Sequence, residues 1–174
     1  QYEAQQAALA AEIAAVLREQ AADRPPAAPP STPGAGSPSS GAVLGPPVPS
    51  DPPVITSPYG WRIHPIYGYR KLHAGTDFRA YCGNPIIAAE SGTVQWAKPM
   101  GGFGNQVMLN HGYRDGSSLL TSYNHLSKFA VRSGDTVSRG QVIGYSGTTG
   151  TSTACHLHFE VYVDGRTVDP ETLL

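Results

Sequence analysis

The run His156-Leu157-His158-Phe159-Glu160-Val161-Tyr162-Val163 decides how this chain is read. It is rich in aromatic and β-branched residues, which suit a strand. Alternate side chains of a strand face the same way, so His156 and His158 share one face and Leu157 points the other way, into a core. Further short runs of the same character lie upstream: Pro85-Ile86-Ile87-Ala88-Ala89, Gly92-Thr93-Val94-Gln95-Trp96-Ala97, Asn105-Gln106-Val107-Met108-Leu109, Leu119-Leu120-Thr121-Ser122-Tyr123 and Gln141-Val142-Ile143-Gly144-Tyr145. Glycines at 83, 92, 101, 102, 116, 134, 140 and 147 separate them. Many short strands between regular turns predict an all-β domain over residues 54–174, a compact antiparallel β-sandwich or open barrel.

Upstream of that domain, residues 24–53 read as a linker. Pro, Ser, Gly and Ala make up most of it, and such a run lacks the apolar bulk to offset the entropy of ordering. It is expected to be an extended spacer, with a covering of the domain's cleft as the minority reading. Residues 1–23 are Ala-rich and free of Gly and Pro, so a helix is predicted. Tyr2, Leu9 and Val16 recur every seventh residue, with Ile13 between them and Gln6 and Gln20 filling the seam. A coiled-coil remnant with a partner helix, a stalk, and a lone helix that is marginal in water all fit that pattern.

Bulk properties narrow the function. Charged residues are 14% and the net charge is -1, so no field favours nucleic acid. No stretch approaches the roughly 20 apolar residues of a membrane span. The chain opens at Gln1 with a helical pattern under way, so any signal peptide or anchor is expected upstream. Cys82 and Cys155 fit either one disulfide in an oxidising compartment or two buried thiols. A bridge would close a loop of about 70 residues, worth roughly 4 kcal/mol by chain entropy.

All six histidines, at 64, 73, 111, 125, 156 and 158, fall in the β-domain. His73-Ala74-Gly75-Thr76-Asp77 places an imidazole and a carboxylate four residues apart, on one face if the segment is a strand. Tyr123-Asn124-His125-Leu126 ends a third run with a histidine. Two His and one Asp suit zinc, which takes three protein ligands in a catalytic site and leaves a fourth position to water. There is no His-Glu-x-x-His helix of the thermolysin type.

At these residues the chain resembles the LytM and lysostaphin family, the M23 peptidases. The resemblance runs from Thr56-Ser57-Pro58-Tyr59-Gly60-Trp61-Arg62-Ile63-His64-Pro65 through His73-Ala74-Gly75-Thr76-Asp77-Phe78, Ala89-Glu90-Ser91-Gly92-Thr93-Val94 and His111-Gly112. It continues through Tyr123-Asn124-His125-Leu126, Val137-Ser138-Arg139-Gly140-Gln141-Val142-Ile143-Gly144 and Gly147-Thr148-Thr149-Gly150 to His156-Leu157-His158-Phe159-Glu160. It implies one Zn2+ held by His73, Asp77 and His158, with His125 and His156 facing the metal-bound water and substrate. His156 is then expected as general base and His125 as the group that orients water or stabilises the oxyanion, the two roles being shared or exchangeable. Tyr67 is either a donor to the tetrahedral intermediate or a surface aromatic. Arg62 and His64 either line the substrate groove or are structural, and His111 reads as a strand-end residue outside the chemistry. With the zinc set complete without Cys155, a Cys82–Cys155 disulfide is preferred to a cysteine ligand.

The implied activity is zinc-dependent endopeptidase action on stem or cross-link peptides of peptidoglycan, in a secreted or cell-envelope setting. A catalytically silent LytM-type regulator of another hydrolase is the alternative. A biotinyl-type carrier ranks last: the Val-x-x-Gly-x-Val-x-Gly rhythm at 137–144 fits, but the modifiable lysine is missing.

Overall fold

The computed structural model describes residues 2–24, 43–63 and 67–174. The domain is mostly antiparallel β-structure with one helix in front of it. The helix α1 spans Tyr2–Ala22. The strands are β1 (Ile55–Ser57), β2 (Gly60–Ile63), β3 (Arg70–His73), β4 (Thr76–Phe78), β5 (Pro85–Ile87), β6 (Gly92–Pro99), β7 (Asn105–Arg114), β8 (Ser117–Phe129), β9 (Thr136–Val137), β10 (Val142–Ser146), β11 (Leu157–Val163) and β12 (Arg166–Val168). Ten form one sheet, whose main path runs β1-β4-β11-β8-β7-β6-β9, with β12 on β11 and the β5–β10 pair joined to β8. The β2–β3 hairpin stands apart as its own two-stranded sheet.

The central strands are covered on both faces, so they read as nearly continuous apolar runs rather than a clean alternation. Val107, Leu109, Tyr123, Phe159 and Val161 enter the main core with Ile86 of β5 and Ile143 of β10. Met108, Leu120 and Tyr162, one residue out of phase, enter a second cluster with Leu9, Ile13 and Val16 of α1. Val94 and Trp96 go to opposite clusters despite their even spacing, because the β6–β7 register shifts between them. Such a bulge moves the following side chain to the other face.

Two expectations change at the N-terminal side. The apolar stripe of α1 is buried against the sheet rather than against a partner helix. Leu9, Ile13 and Val16 are almost fully buried, and Gln20 bonds Asn110 Oδ1 at 2.5 Å and accepts from Ser118 Oγ at 2.6 Å. The spacing of the seam was legible, but its partner is β-structure, so no coiled-coil partner is needed for this face. The linker also ends earlier than residue 53. Leu44 and Val48 are buried in the main core, Leu44 N donates to Leu173 O and Ile87 N donates to Pro47 O. These few apolar groups suffice to dock a segment that is otherwise Pro- and Ser-rich. Residues 25–42, the rest of the linker, lie outside the described residues.

No described helix is long and apolar enough to cross a membrane. Cys82 and Cys155 are joined as a disulfide, with Cα atoms 5.2 Å apart. This ties the segment after β4 to the residue before His156.

Candidate active site

The site forms where β3, β4, β8 and β11 meet. Asp77 on β4 lies directly across from His158 on β11, and His158 is in turn opposite Asn124 on β8. His73 ends β3 in the separate hairpin, so His73 and Asp77 do not share one strand face as the spacing alone suggested. The chain bends between them at Gly75. A Cβ there would collide with Phe159 O, Glu160 Cγ and His158 Cε1. Only glycine lets this bend press against β11, which brings the two halves of His-x-x-x-Asp onto His158.

His125 is reached by a different device. β8 pairs with β11 up to Asn124 and with β10 from Leu126. At the changeover His125 has φ 62°, a left-handed backbone uncommon outside glycine. Such strain costs about 1–3 kcal/mol and persists where surrounding structure enforces it. His156 lies just before β11, bridged to Gly147.

The donor atoms form a compact triangle. His73 Nε2 is 3.2 Å from Asp77 Oδ1, His158 Nδ1 is 2.8 Å from the same oxygen, and the two ring nitrogens are 3.2 Å apart. Ligands about 2.0–2.1 Å from a tetrahedral zinc sit roughly 3.3 Å from one another. The residues therefore fit zinc by donor type and by spacing. His73, Asp77 and His158 are also the group of metal-ligating side chains found among the described residues.

Each ring is oriented by a bond from its other nitrogen. His73 Nδ1–H donates to Pro58 O at 2.8 Å, and His158 Nε2–H donates to the buried Glu160 Oε1 at 2.9 Å. Tyr162 Oη donates to the other oxygen of Glu160. His125 Nδ1–H donates to Thr149 O and His156 Nδ1–H to Ala154 O, both at 2.8 Å. These bonds hold the outer nitrogen of each ring and turn His73 Nε2, His158 Nδ1, His125 Nε2 and His156 Nε2 toward the cleft. His156 Nε2 lies 3.7 Å from Asp77 Oδ1, and the His125 and His156 ring centroids are 5.0 Å apart. Beneath β11 a buried chain runs from Trp96 Nε1 through Gln106 and Asn124 to His158 O, which holds β11 in place.

The electrostatics favour a cation. Burial, the largest influence on Asp77, disfavours its charge, but hydrogen bonds from His158 and His73 outweigh it and hold the carboxyl far below the usual range. Burial likewise disfavours a charged His158, yet its bonds to Asp77 and Glu160 raise it to about 9. His125 lacks such carboxylate bonds, and burial lowers it to about 4. Its ring is therefore neutral at pH 7, with an acceptor at Nε2.

Residues 71–170 match the model of peptidase family M23. The chain belongs to this family. A DD-carboxypeptidase/endopeptidase, Mpg, of Neisseria meningitidis is 41% identical over 116 residues, covering 67% of this chain and 26% of that protein. The peptidoglycan DD-endopeptidase ShyA of Vibrio cholerae is 42% identical over 108 residues, 62% of this chain and 24% of its own length. The chain thus spans about a quarter of the curated relatives it matches. Among solved structures, a zinc-containing peptidase from Vibrio cholerae superposes with TM-score 0.65 at 38% identity, covering 71% of this chain and 37% of that one. The catalytic domain of lysostaphin from Staphylococcus simulans gives 0.59 at 38% identity, covering 70% and 92%.

Within this M23 domain, a cavity of about 370 Å³ is lined by His73, Asp77, His125, His156 and His158. Arg62 of β2 and Lys71 of β3 stand on its wall. Tyr67 is exposed, stacks on Tyr69 with centroids 6.3 Å apart, and is not among the lining residues. His64 lies outside the described residues. His111 sits within β7 rather than at a strand end, buried between Ser91 O and Thr121 Oγ1. None of residues 43–53 lines the cavity. Sequence reasoning missed Glu160, although extending the alternation from His156 and His158 puts it on the same face. It also missed Gln5 of α1, which lines the cavity from outside the family resemblance and left no local signal.

Proposed function

We propose that this chain is a zinc-dependent endopeptidase that cleaves peptide bonds in bacterial peptidoglycan, acting outside the cytoplasm. One observation carries the reading: three donor atoms 2.8–3.2 Å apart beside two further imidazoles with free Nε2 atoms. The activities named for the relatives, peptidoglycan DD-endopeptidase among them, support the substrate class.

His73 Nε2, Asp77 Oδ1 and His158 Nδ1 would hold one Zn2+. Such an ion acidifies a bound water and polarises the scissile carbonyl. His156 Nε2, the nitrogen left once Nδ1–H is bound to Ala154 O, accepts the nucleophile's proton and returns it to the departing amine. His125 Nε2, neutral by burial, orients the attacking water. Oxyanion stabilisation by His125 would need a proton at that nitrogen, which its low pKa opposes, so water orientation is the role its surroundings favour. Arg62 and Lys71 present positive charge along the cleft for a peptide bearing carboxylates. The intact donor set disfavours a silent regulatory module.

Purified peptidoglycan incubated with the chain, with and without a chelator, tests the reading, the released fragments being identified by mass. New amine termini that disappear with chelator and return with zinc are expected. Intact sacculi under all conditions would sink it.

A further inference from the structure

We infer that α1 forms part of the catalytic cleft and that the Gln5 side-chain amide binds a backbone carbonyl of the peptide substrate. This rests on the endopeptidase reading above. The helix lies outside the residues that match the family, yet Gln5 lines the same cavity as the five site residues. Its amide is held in one orientation. Gly102 N–H donates to Gln5 Oε1 at 2.9 Å, and a backbone N–H can meet only an acceptor. Oε1 is thereby used, and the two N–H groups of Nε2 have no hydrogen-bond partner among the described residues.

The turn beneath is shaped for this side chain. Gly101 has φ 53° and its Cβ would come within 3.1 Å of the Gln5 amide, while a Cβ on Gly102 would collide with Oε1. The two glycines leave the space that the amide fills. Thr151, Ser152 and Thr153 add polar groups to the cavity. An extended peptide lying in such a cleft presents backbone carbonyls at regular intervals, and an amide N–H fixed on the wall is the matching donor. The same turn connects to the chemistry. Gly102 O accepts from Thr151 N at 2.9 Å and Thr151 Oγ1 at 3.0 Å, in the loop whose Thr149 O orients His125. Gln5 Oε1 therefore steadies the site, and Nε2 faces the substrate.

Gln5→Glu and Gln5→Ala separate these functions in the full chain. Glutamate keeps the oxygen for Gly102 N–H, suits the N-terminal part of a helix, and removes the donor. The probe is a purified cross-linked muropeptide dimer, followed by steady-state cleavage and by titration binding in a zinc-loaded His156→Ala background. Gln5→Glu should raise KM and Kd about 5- to 20-fold, the range for one lost hydrogen bond with a carboxylate now set against the carbonyl oxygen. Its kcat should stay within about twofold, with zinc content and Tm unchanged. Gln5→Ala should in addition lower kcat, because the turn loses its anchor. If wild type cuts the dimer and Gln5→Glu has unchanged KM and Kd, the inference is overturned and the endopeptidase reading stands. If the dimer is bound, weakened by Gln5→Glu and never cut, the cleft wall stands and the endopeptidase reading fails. A dimer neither bound nor cut overturns both.

Discussion

Each site histidine spends one ring nitrogen on a fixed acceptor, which is how four similar side chains come to differ. His158 spends it on the Glu160 carboxylate and His73, His125 and His156 on backbone carbonyls, while the opposite nitrogens of His73 and His158 close on Asp77 Oδ1 at 3.2 and 2.8 Å. Alanine at 73, 77 or 158 is predicted to abolish zinc retention after dialysis. Alanine at 125 or 156 should retain zinc and lower kcat by about 100-fold or more. Elemental analysis with peptide-release rates checks both; zinc retained without His158 would break the ligand assignment. Glu160→Gln should weaken zinc about 10- to 100-fold, since it removes the charge that the His158 Nε2–H meets. Competition with a chromogenic chelator measures this, and unchanged affinity would show that Glu160 only fills space. That His73, Asp77 and His158 form one group was readable from the sequence. The need for glycine at 75 was not readable, because it exists only once β11 packs against the bend.

Among the elements, β6, β7, β8, β10 and β11 were legible, because their β-branched and aromatic runs are long enough to stand out, and the three-residue β5 showed only as part of the longer apolar run 85–89. The short strands β1, β3, β4, β9 and β12 were not, since two to four residues carry no period. Helix α1 was legible as a helix and misread as to partner, because an apolar stripe does not say what covers it. Its docking predicts that Ile13→Ala destabilises the chain by about 2–4 kcal/mol in urea unfolding, as deletion of a buried aliphatic does. A loss below about 0.5 kcal/mol would mean that α1 is not fixed to the sheet. In β7, burial lowers the pKa of His111 from the ordinary 6.5, helped by Arg114 and opposed by the bond to Ser91 O. The folded state then binds fewer protons than the unfolded state between the lowered value and 6.5. Stability contributed by His111 is full above pH 6.5 and is lost as pH falls from there. Wild type minus His111→Gln, followed by Tm against pH, should show this slope; parallel curves would deny it.

For the whole molecule, the cleft is assembled from parts distant in sequence: the β2–β3 hairpin, the sheet, the 147–156 loop and α1. The Cys82–Cys155 bridge ties two of these segments together beside His156. Trimming residues 1–50 removes α1 together with the core residues Leu44 and Val48, so it is expected to lower activity rather than relieve a blocked cleft. The all-β class and the catalytic family were visible in the ordered motifs. The participation of α1 was not, because its Ala-rich sequence carries no trace of the cavity that it lines. Zinc-edge X-ray absorption on the purified, zinc-loaded chain tests the central claim most directly. The account predicts a four-coordinate N/O shell at about 2.0–2.1 Å, with two imidazoles, one carboxylate, one exchangeable oxygen and no sulfur. A sulfur neighbour, or an unchanged spectrum in His158→Ala, would contradict it.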